Sequence, residues 1–217
     1  MNKHRINIKI PKYTLGEELF NSISHGIGAA FSVVALVLLI LKAQGALSIT
    51  AVTLYASSMI FLYTISCVYH ALSKNLEGKK VLRVIDHCNV FLLVYGTYIP
   101  VSLLGVGGIV GVIVFFSITL ISAIGITLTA IKVDKMVVLE VLCHLISGWG
   151  ILFFSNYLLK NMGTNGYIYL VLGGAMYTLG SILYAIGHKL KYMHSVFHIF
   201  CLLGSMFHFM CIYFSLL

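Results

Sequence analysis

Residues 91–131 read FLLVYGTYIPVSLLGVGGIVGVIVFFSITLISAIGITLTAI and contain no charged side chain. An α-helix needs about 20 predominantly apolar residues to cross a bilayer, at about 1.5 Å of rise per residue. This stretch is therefore long enough for two successive membrane-spanning helices. The turn-prone GVGG at Gly105–Gly108 is the predicted connection between them, and Pro100 is predicted to kink the first of the two.

The composition of the whole chain agrees with a membrane location. Of its 217 residues, 60% are hydrophobic and 9% are charged, whereas a soluble domain carries roughly a quarter of charged residues. Residues 1–217 are therefore predicted to form one membrane domain, with residues 1–20 as a polar segment at its start. The formal net charge of +8 does not indicate nucleic-acid binding, because the basic residues are spread over separate loops.

Charged residues separate the apolar runs and predict an all-α, polytopic bundle of seven transmembrane helices. Two of the seven lie in the uncharged run just described. The other five predicted spans are 21–41, 47–72, 137–157, 166–187 and 193–216.

The basic residues predict the orientation of this bundle. The chain has 14 lysine and arginine residues, and in the seven-span arrangement Lys42 and Lys160 alone lie on one side. Lysine and arginine concentrate in cytoplasmic loops, so the N-terminus is predicted to be cytoplasmic and the C-terminus to lie outside. This orientation is opposite to that of G-protein-coupled receptors.

Several polar side chains fall at one predicted depth, in the cytoplasmic leaflet. They are Ser66 and His70 in helix two, Asp86 in helix three, and His194 and His198 in helix seven. Polar residues within membrane spans usually face the bundle interior and mark a functional site. The shared depth therefore predicts one site built from three helices.

The histidines of this set are candidate metal ligands. His194 and His198 are four residues apart and share one helix face, and His70 would supply a third nitrogen. Three histidines with an open position are a frequent catalytic zinc arrangement. Asp86 could hold the metal-bound water or act as a general base, and Ser66 could donate a hydrogen bond to a substrate carbonyl or to Asp86.

Simpler interpretations exist for each of these residues. The histidines could be interfacial side chains without a metal, and Asp86 could merely complement a helix N-terminus. Ser66 could bond back to its own helix backbone. His208 is ten residues beyond His198, about 15 Å deeper, so a buried hydrogen-bonding role is predicted for it.

Other polar residues are not assigned to the metal site. His144 and Glu140 are predicted to be packing or network residues. Four residues in or just before the first predicted span are placed at the same depth, and their roles are left open: Glu17, Glu18, Asn21 and His25.

Three motifs together resemble one known family. They are EELFNSISH (17–25), SCVYH (66–70) followed by Asp86, and HSVFH (194–198) followed by HF at 208–209. The combination is similar to that of the hemolysin III proteins, the bacterial branch of the progestin and adiponectin receptor family. The resemblance spans nearly the whole chain and implies a multi-pass protein of the bacterial plasma membrane.

The resemblance also implies ligands and activities. His70, His194 and His198 would bind Zn²⁺, Asp86 would hold the metal-bound water, and Ser66 would lie near it. Relatives of known structure are similar to alkaline ceramidases in their zinc site and have been proposed to hydrolyse lipid amides. The bacterial name records a haemolytic, pore-forming activity instead.

Three functions follow as hypotheses. The first is a zinc-dependent intramembrane hydrolase of a lipid amide or ester, with membrane lipid as environment and substrate. The second is a membrane-permeabilising haemolysin in which zinc is structural. The third is a sensor of membrane state, which the short predicted cytoplasmic loops disfavour because they offer little docking surface. Homo-oligomerisation is left open by the sequence.

Overall fold

The computed structural model describes residues 8–132, 137–187 and 190–217, and within these ranges it contains helices and no β-strand. The α-helices of the described residues are α1 Leu15–Lys42, α2 Gly45–Ala71, α3 Glu77–Pro100, α4 Gly108–Lys132, α5 Val137–Trp149, α6 Ser155–Gly187 and α7 Met193–Ser215. A π-helical turn, Val101–Val106, follows α3, and a 3₁₀ turn, Gly150–Phe154, joins α5 to α6.

Six helical stretches of the described chain are long and apolar enough to cross a membrane. They are Leu15–Lys42, Gly45–Ala71, Glu77–Val106, Gly108–Ile131, Val141–Ala185 and Met193–Ser215. Apolar side chains also cover the outside of the bundle, as in Phe153, Ile109 and Ile146, which are 92%, 73% and 73% exposed. This is the architecture of a multi-pass membrane protein.

The stretch Val141–Ala185 is 45 residues long and turns back on itself at Gly163. This glycine has φ 68° and ψ 177°, a conformation that other residues rarely adopt. The Ser155 and Tyr167 hydroxyls are 3.0 Å apart, and the Trp149 indole donates to Thr178 Oγ1 at 2.9 Å. A continuous helix would separate Trp149 from Thr178 by about 44 Å, so the two limbs must lie side by side.

The first helix begins earlier than the predicted residue 21. Thr14 Oγ1 accepts from the Glu17 backbone N–H at 3.3 Å, and Glu17 Oε2 accepts from the Thr14 N–H at 2.7 Å. This capping box starts α1 at Leu15, so that Glu17 and Glu18 lie inside the first turn of the helix.

The turn predicted at GVGG is confirmed. Gly107 and Gly108 have φ values of 70° and 55°, which glycine adopts without a steric penalty. Just before this turn, the regular α-helix ends at Pro100 and continues as a π-helical turn.

Two buried clusters of apolar side chains hold the helices together. One joins α1, α2 and α7 through side chains that include Leu39, Met59 and Ile212. The other includes Ile118 of α4 and Leu158 of α6. The candidate site lies at the end of the bundle where α1 begins, which we call the histidine end.

Candidate metal centre

Two helices bring three imidazole rings to one point at the histidine end. His70 lies in the last turn of α2, and His194 and His198 lie in the first two turns of α7. His194 Nε2 is 3.2 Å from His70 Nε2 and 3.1 Å from His198 Nε2. One nitrogen from each ring lies within 4.8 Å of the other two. We call these three residues the histidine cluster.

The spacing within the histidine cluster fits a tetrahedral metal site. Zinc–nitrogen bonds of about 2.0–2.1 Å place two ligands of a tetrahedron roughly 3.3 Å apart. Two of the three nitrogen–nitrogen separations, 3.2 and 3.1 Å, are close to that edge length. The cluster therefore has the donor set and the spacing to hold a metal ion.

Glu18 orients the first of these rings. Glu18 Oε2 is 2.7 Å from His70 Nδ1, and Glu18 Oε1 accepts from Lys79 Nζ at 2.9 Å. Lys79 is fully buried and also donates to the Leu72 carbonyl oxygen at 2.8 Å. A carboxylate that accepts the Nδ1 proton leaves the lone pair of Nε2 directed at the centre, as in carboxylate–histidine–metal arrangements.

The arrangement of protons in the cluster favours a cation at its centre. If His70 is neutral and its Nδ1–H donates to Glu18, its Nε2 carries no proton. A single proton on His194 Nε2 can then satisfy its contact with His70 but cannot also satisfy its contact with His198. Buried polar atoms are rarely left without a partner, and a metal ion would satisfy all three nitrogens at once.

Helix α1 holds the third ring and the start of α7 in place. His198 stacks on His25 with ring centroids 3.5 Å apart and an interplanar angle of 7°. The Ser24 hydroxyl lies 3.5 Å from His198 Nδ1. Ser195 donates to Asn21 Oδ1 at 2.6 Å, which holds the start of α7 against α1.

The segment before α1 covers the histidine cluster. The Tyr13 ring stacks on His194, with centroids 5.1 Å apart and an angle of 13°. The carbonyl oxygen of Tyr13 accepts from Lys74 Nζ, and that of Lys9 accepts from Arg83 Nη1 at 2.5 Å. Burial raises the pKa of the Tyr13 hydroxyl above its usual range, so this lid carries a neutral phenol over the site.

A cavity of about 160 Å³ lies beside the cluster. His194, His198, Ser66 and Asp86 contribute to its wall at the histidine end. Its other end reaches His208, ten residues and about 15 Å along α7. Most of the wall between is apolar, and its side chains include Leu62, Val90, Leu93, Val94, Val101 and Ile151.

The structure therefore separates the five predicted site residues into two groups. His70, His194 and His198 form the cluster, while Ser66 and Asp86 line the adjoining cavity. Ser66 is almost fully buried and Asp86 is half-buried.

The predicted role of His208 is confirmed. Its Nε2 donates to the Leu170 carbonyl oxygen at 3.2 Å, far from the histidine cluster. His144 packs on Phe91, with ring centroids 3.7 Å apart, in agreement with the predicted packing role. The side chain of Glu140 lies outside the described residues.

Sequence reasoning left the contribution of α1 unassigned. Glu18 binds His70, Asn21 binds Ser195, and His25 stacks on His198. A signal was available in the sequence, because the polar residues Glu17, Asn21 and Ser24 recur at helical spacing, and the structure buries all three. Residues three or four apart share one helix face, so this polar stripe had to face the bundle.

The fold and this site define a class: a helical multi-pass membrane protein with a buried three-histidine cluster that could hold a metal ion. Comparison with known proteins gives the family. A sequence model of the family described as "Haemolysin-III related" matches residues 13–209. The chain belongs to the hemolysin III family, as its motifs indicated.

Two relatives illustrate the similarity. The chain is 33% identical to "Hemolysin-3" of Bacillus cereus over 191 residues, which cover 87% of this chain and 86% of the relative. It is 32% identical to "Hemolysin-3 homolog" of Bacillus subtilis (strain 168) over 195 residues, 88% of this chain and 91% of the relative.

Proposed function

We propose that this protein is a zinc-dependent intramembrane hydrolase that cleaves a lipid amide or ester. The observation that carries the proposal is the convergence of three imidazole nitrogens beside a long, mostly apolar cavity. Ligand sites are typically apolar clefts with a few placed polar groups. The cavity suits a lipid chain, and the cluster lies where the polar group of that lipid would be.

Zinc is the metal proposed for the cluster. Three imidazole donors at tetrahedral spacing match the ligand set of catalytic zinc, which leaves a fourth position open. Bound there, zinc would supply polarisation of a carbonyl group and a lowered pKa for a water molecule.

The protein's own residues would complete the chemistry. The Asp86 carboxylate, on the wall of the same cavity, would orient a water molecule and take its proton as a general base. The Ser66 hydroxyl would donate a hydrogen bond to the carbonyl oxygen of the lipid. The apolar side chains of the cavity wall, which include Leu62 and Ile151, would exclude water from the hydrocarbon chain of the lipid.

The direct test measures fatty-acid release by purified, zinc-loaded protein in lipid nanodiscs, with ceramide-like amides and phospholipid esters as substrates. Wild type should release fatty acid. Asp86→Asn should lower kcat by 10²-fold or more, as expected for loss of a general base, and should retain its zinc. Absence of cleavage by wild type that holds stoichiometric zinc would refute the hydrolase.

The proposed topology has seven crossings, with the N-terminus in the cytoplasm of a bacterial cell and the C-terminus outside the plasma membrane. The reversal at Gly163 supports this count, because it folds a 45-residue stretch into two limbs. The distribution of lysine and arginine supports the orientation. The histidine end then lies at the cytoplasmic side. Single cysteines placed near Lys74 and near Lys160 of a cysteine-free variant should react with a membrane-impermeant reagent from opposite sides.

A second candidate is a membrane-permeabilising protein, because relatives carry the name "Hemolysin-3". In that case zinc would be structural. Reconstituted protein should then release a dye from liposomes, and leakage should persist in Asp86→Asn, which removes the general base and keeps the three histidines. Leakage that is absent from wild type would eliminate this candidate.

A further inference from the structure

His25 is a buried histidine next to the candidate metal centre. It is not one of the three histidines of the cluster, and the proposed chemistry gives it no task beyond its stack on His198. It lies on α1 with 3% of its surface exposed. One face of its ring stacks on His198 at 3.5 Å, and the Tyr63 ring meets it edge-on, with centroids 5.0 Å apart at 79°. The histidine cluster consists of three other residues.

Both ring nitrogens of His25 lack a hydrogen-bond partner within the part of the chain that the structure describes. A neutral imidazole has one N–H donor and one nitrogen acceptor. A buried polar group without a partner costs the full penalty of its desolvation, and such groups in folded proteins call for an explanation. Stacking alone would be served equally well by phenylalanine, which carries no such penalty.

The cavity offers the place for the missing partner. His25 contributes to the cavity wall together with Ser66, Asp86 and His198. A group bound in the cavity at this end can therefore reach both the histidine cluster and the ring of His25. The partner must be polar, because an apolar chain would leave both nitrogens unsatisfied.

We infer that His25 is a substrate-binding residue, which holds the polar group of the lipid at the metal end of the cavity by a hydrogen bond. The acceptor or donor on the lipid is a carbonyl, amide or hydroxyl group. The class of ligand rests on the proposed function, whereas the role of His25 rests on its two unpartnered nitrogens. The stack on His198 fixes the ring plane, so the hydrogen bond has a defined direction relative to the cluster.

Two substitutions separate hydrogen bonding from packing. His25→Phe keeps a ring that can stack on His198 and removes both polar atoms. His25→Gln keeps a donor and an acceptor and removes the ring. A hydrogen-bonding role predicts that glutamine preserves function and phenylalanine does not, and a packing role predicts the reverse.

Ligand binding can be read from the chain's single tryptophan, because Trp149 lines the same cavity. The probes are a long-chain primary carboxamide and the alkane of the same length, added to zinc-loaded protein in detergent. The zinc content of each variant is measured in parallel and reports whether the site is intact.

We expect His25→Phe to retain zinc, to bind the alkane as wild type does, and to bind the carboxamide about tenfold more weakly. That factor corresponds to the loss of one buried hydrogen bond. His25→Gln should bind the carboxamide within about threefold of wild type. Wild-type affinity for the carboxamide in His25→Phe would overturn the inference, and so would loss of zinc from that variant or failure of wild type to bind the carboxamide.

The same experiment separates this inference from the hydrolase itself. A wild-type protein that binds the carboxamide through His25 and cleaves no lipid would refute the hydrolase and keep the binding role. A protein that cleaves lipid equally well with phenylalanine at position 25, and binds the carboxamide unchanged, would refute the binding role alone.

Discussion

Two buried polar clusters lie along α7, and they differ in whether their atoms satisfy one another. In the hydroxyl cluster, formed by Tyr63, Tyr177 and Ser205, the Ser205 hydroxyl lies 2.6 Å from each tyrosine hydroxyl. Tyr63 also lies within 3.1 Å of the Cys201 carbonyl oxygen, which can accept its proton. In the histidine cluster, three ring nitrogens converge, and a single proton on His194 Nε2 can serve only one of its two contacts.

This difference indicates that the hydroxyl cluster has a structural role only. A polar network with a partner for every group is satisfied inside the membrane without any ligand. Three converging histidine nitrogens could hold a metal ion, so their geometry bears on function.

The largest effect is expected from removal of a ligand. Wild type should gain about 4 kcal/mol of stability when free zinc exceeds its Kd about 1,000-fold. His70→Ala, His194→Ala and His198→Ala should each lose this gain, measured as the change in Tm between zinc and chelator. The control is His208→Ala, which removes a buried hydrogen bond but should keep the zinc-dependent gain. An equal loss in His208→Ala would remove the distinction between the two clusters.

A smaller effect is expected from Glu18. Glu18→Gln weakens the acceptor that orients His70, and loss of such a partner typically lowers metal affinity 10- to 100-fold. Competition with a chromogenic chelator measures this affinity. Glu77→Gln is the matched control, because Glu77 pairs with Lys80 at the surface and should leave zinc affinity unchanged. Equal affinities in Glu18→Gln and wild type would show that the His70–Glu18 contact does not orient the ring.

The hydroxyl cluster should respond in the opposite way. Ser205→Ala leaves two buried tyrosine hydroxyls without their shared partner, and the free energy of unfolding should fall by about 1–3 kcal/mol. Zinc affinity should not change. Unfolding by a denaturing detergent gives the free energy, and Ser117→Ala on the exposed face of α4 provides the control. A change in zinc affinity in Ser205→Ala would show that the hydroxyl cluster and the histidine cluster are energetically coupled, which contradicts their separate roles.

The smallest effect is expected at the start of α1. Thr14→Ala removes the side-chain cap, which is worth about 1 kcal/mol, and frees the Glu17 carboxylate that also accepts from the Tyr192 N–H at 2.8 Å. The chelator should then extract zinc faster, because Tyr13 in the adjoining lid loses its anchor. Thr127→Ala, at an exposed position of α4, should leave the extraction rate as it is. An unchanged rate in Thr14→Ala would show that the lid does not limit access.

The fold was largely predictable because a membrane imposes a simple rule on the chain. Runs of about 20 apolar residues must become helices, and this gave α2 and α7 to within a few residues. The errors came from charges. Glu17 and Glu18 were expected to lie just before the first helix, yet both are buried within its first turn. One belongs to the helix cap and the other lies between His70 and Lys79.

The site was predictable as far as helix periodicity and depth reach. The spacing of His194 and His198 and the depth of His70 predicted the histidine cluster. The deeper position of His208 correctly excluded that residue from the cluster. The positions of Glu18 and His25 beside the cluster depend on how α1 rotates and packs against α2 and α7. That rotation follows from side-chain packing between helices, which spacing within one helix does not specify.

The geometry of His70, His194 and His198 predicts that they hold one zinc ion. Elemental analysis of protein purified without added metal, combined with zinc X-ray absorption spectroscopy, tests it directly. The expected result is one zinc per chain, with three nitrogen ligands at about 2.0–2.1 Å. Protein that is folded and contains no zinc, even after purification with added zinc, would contradict it.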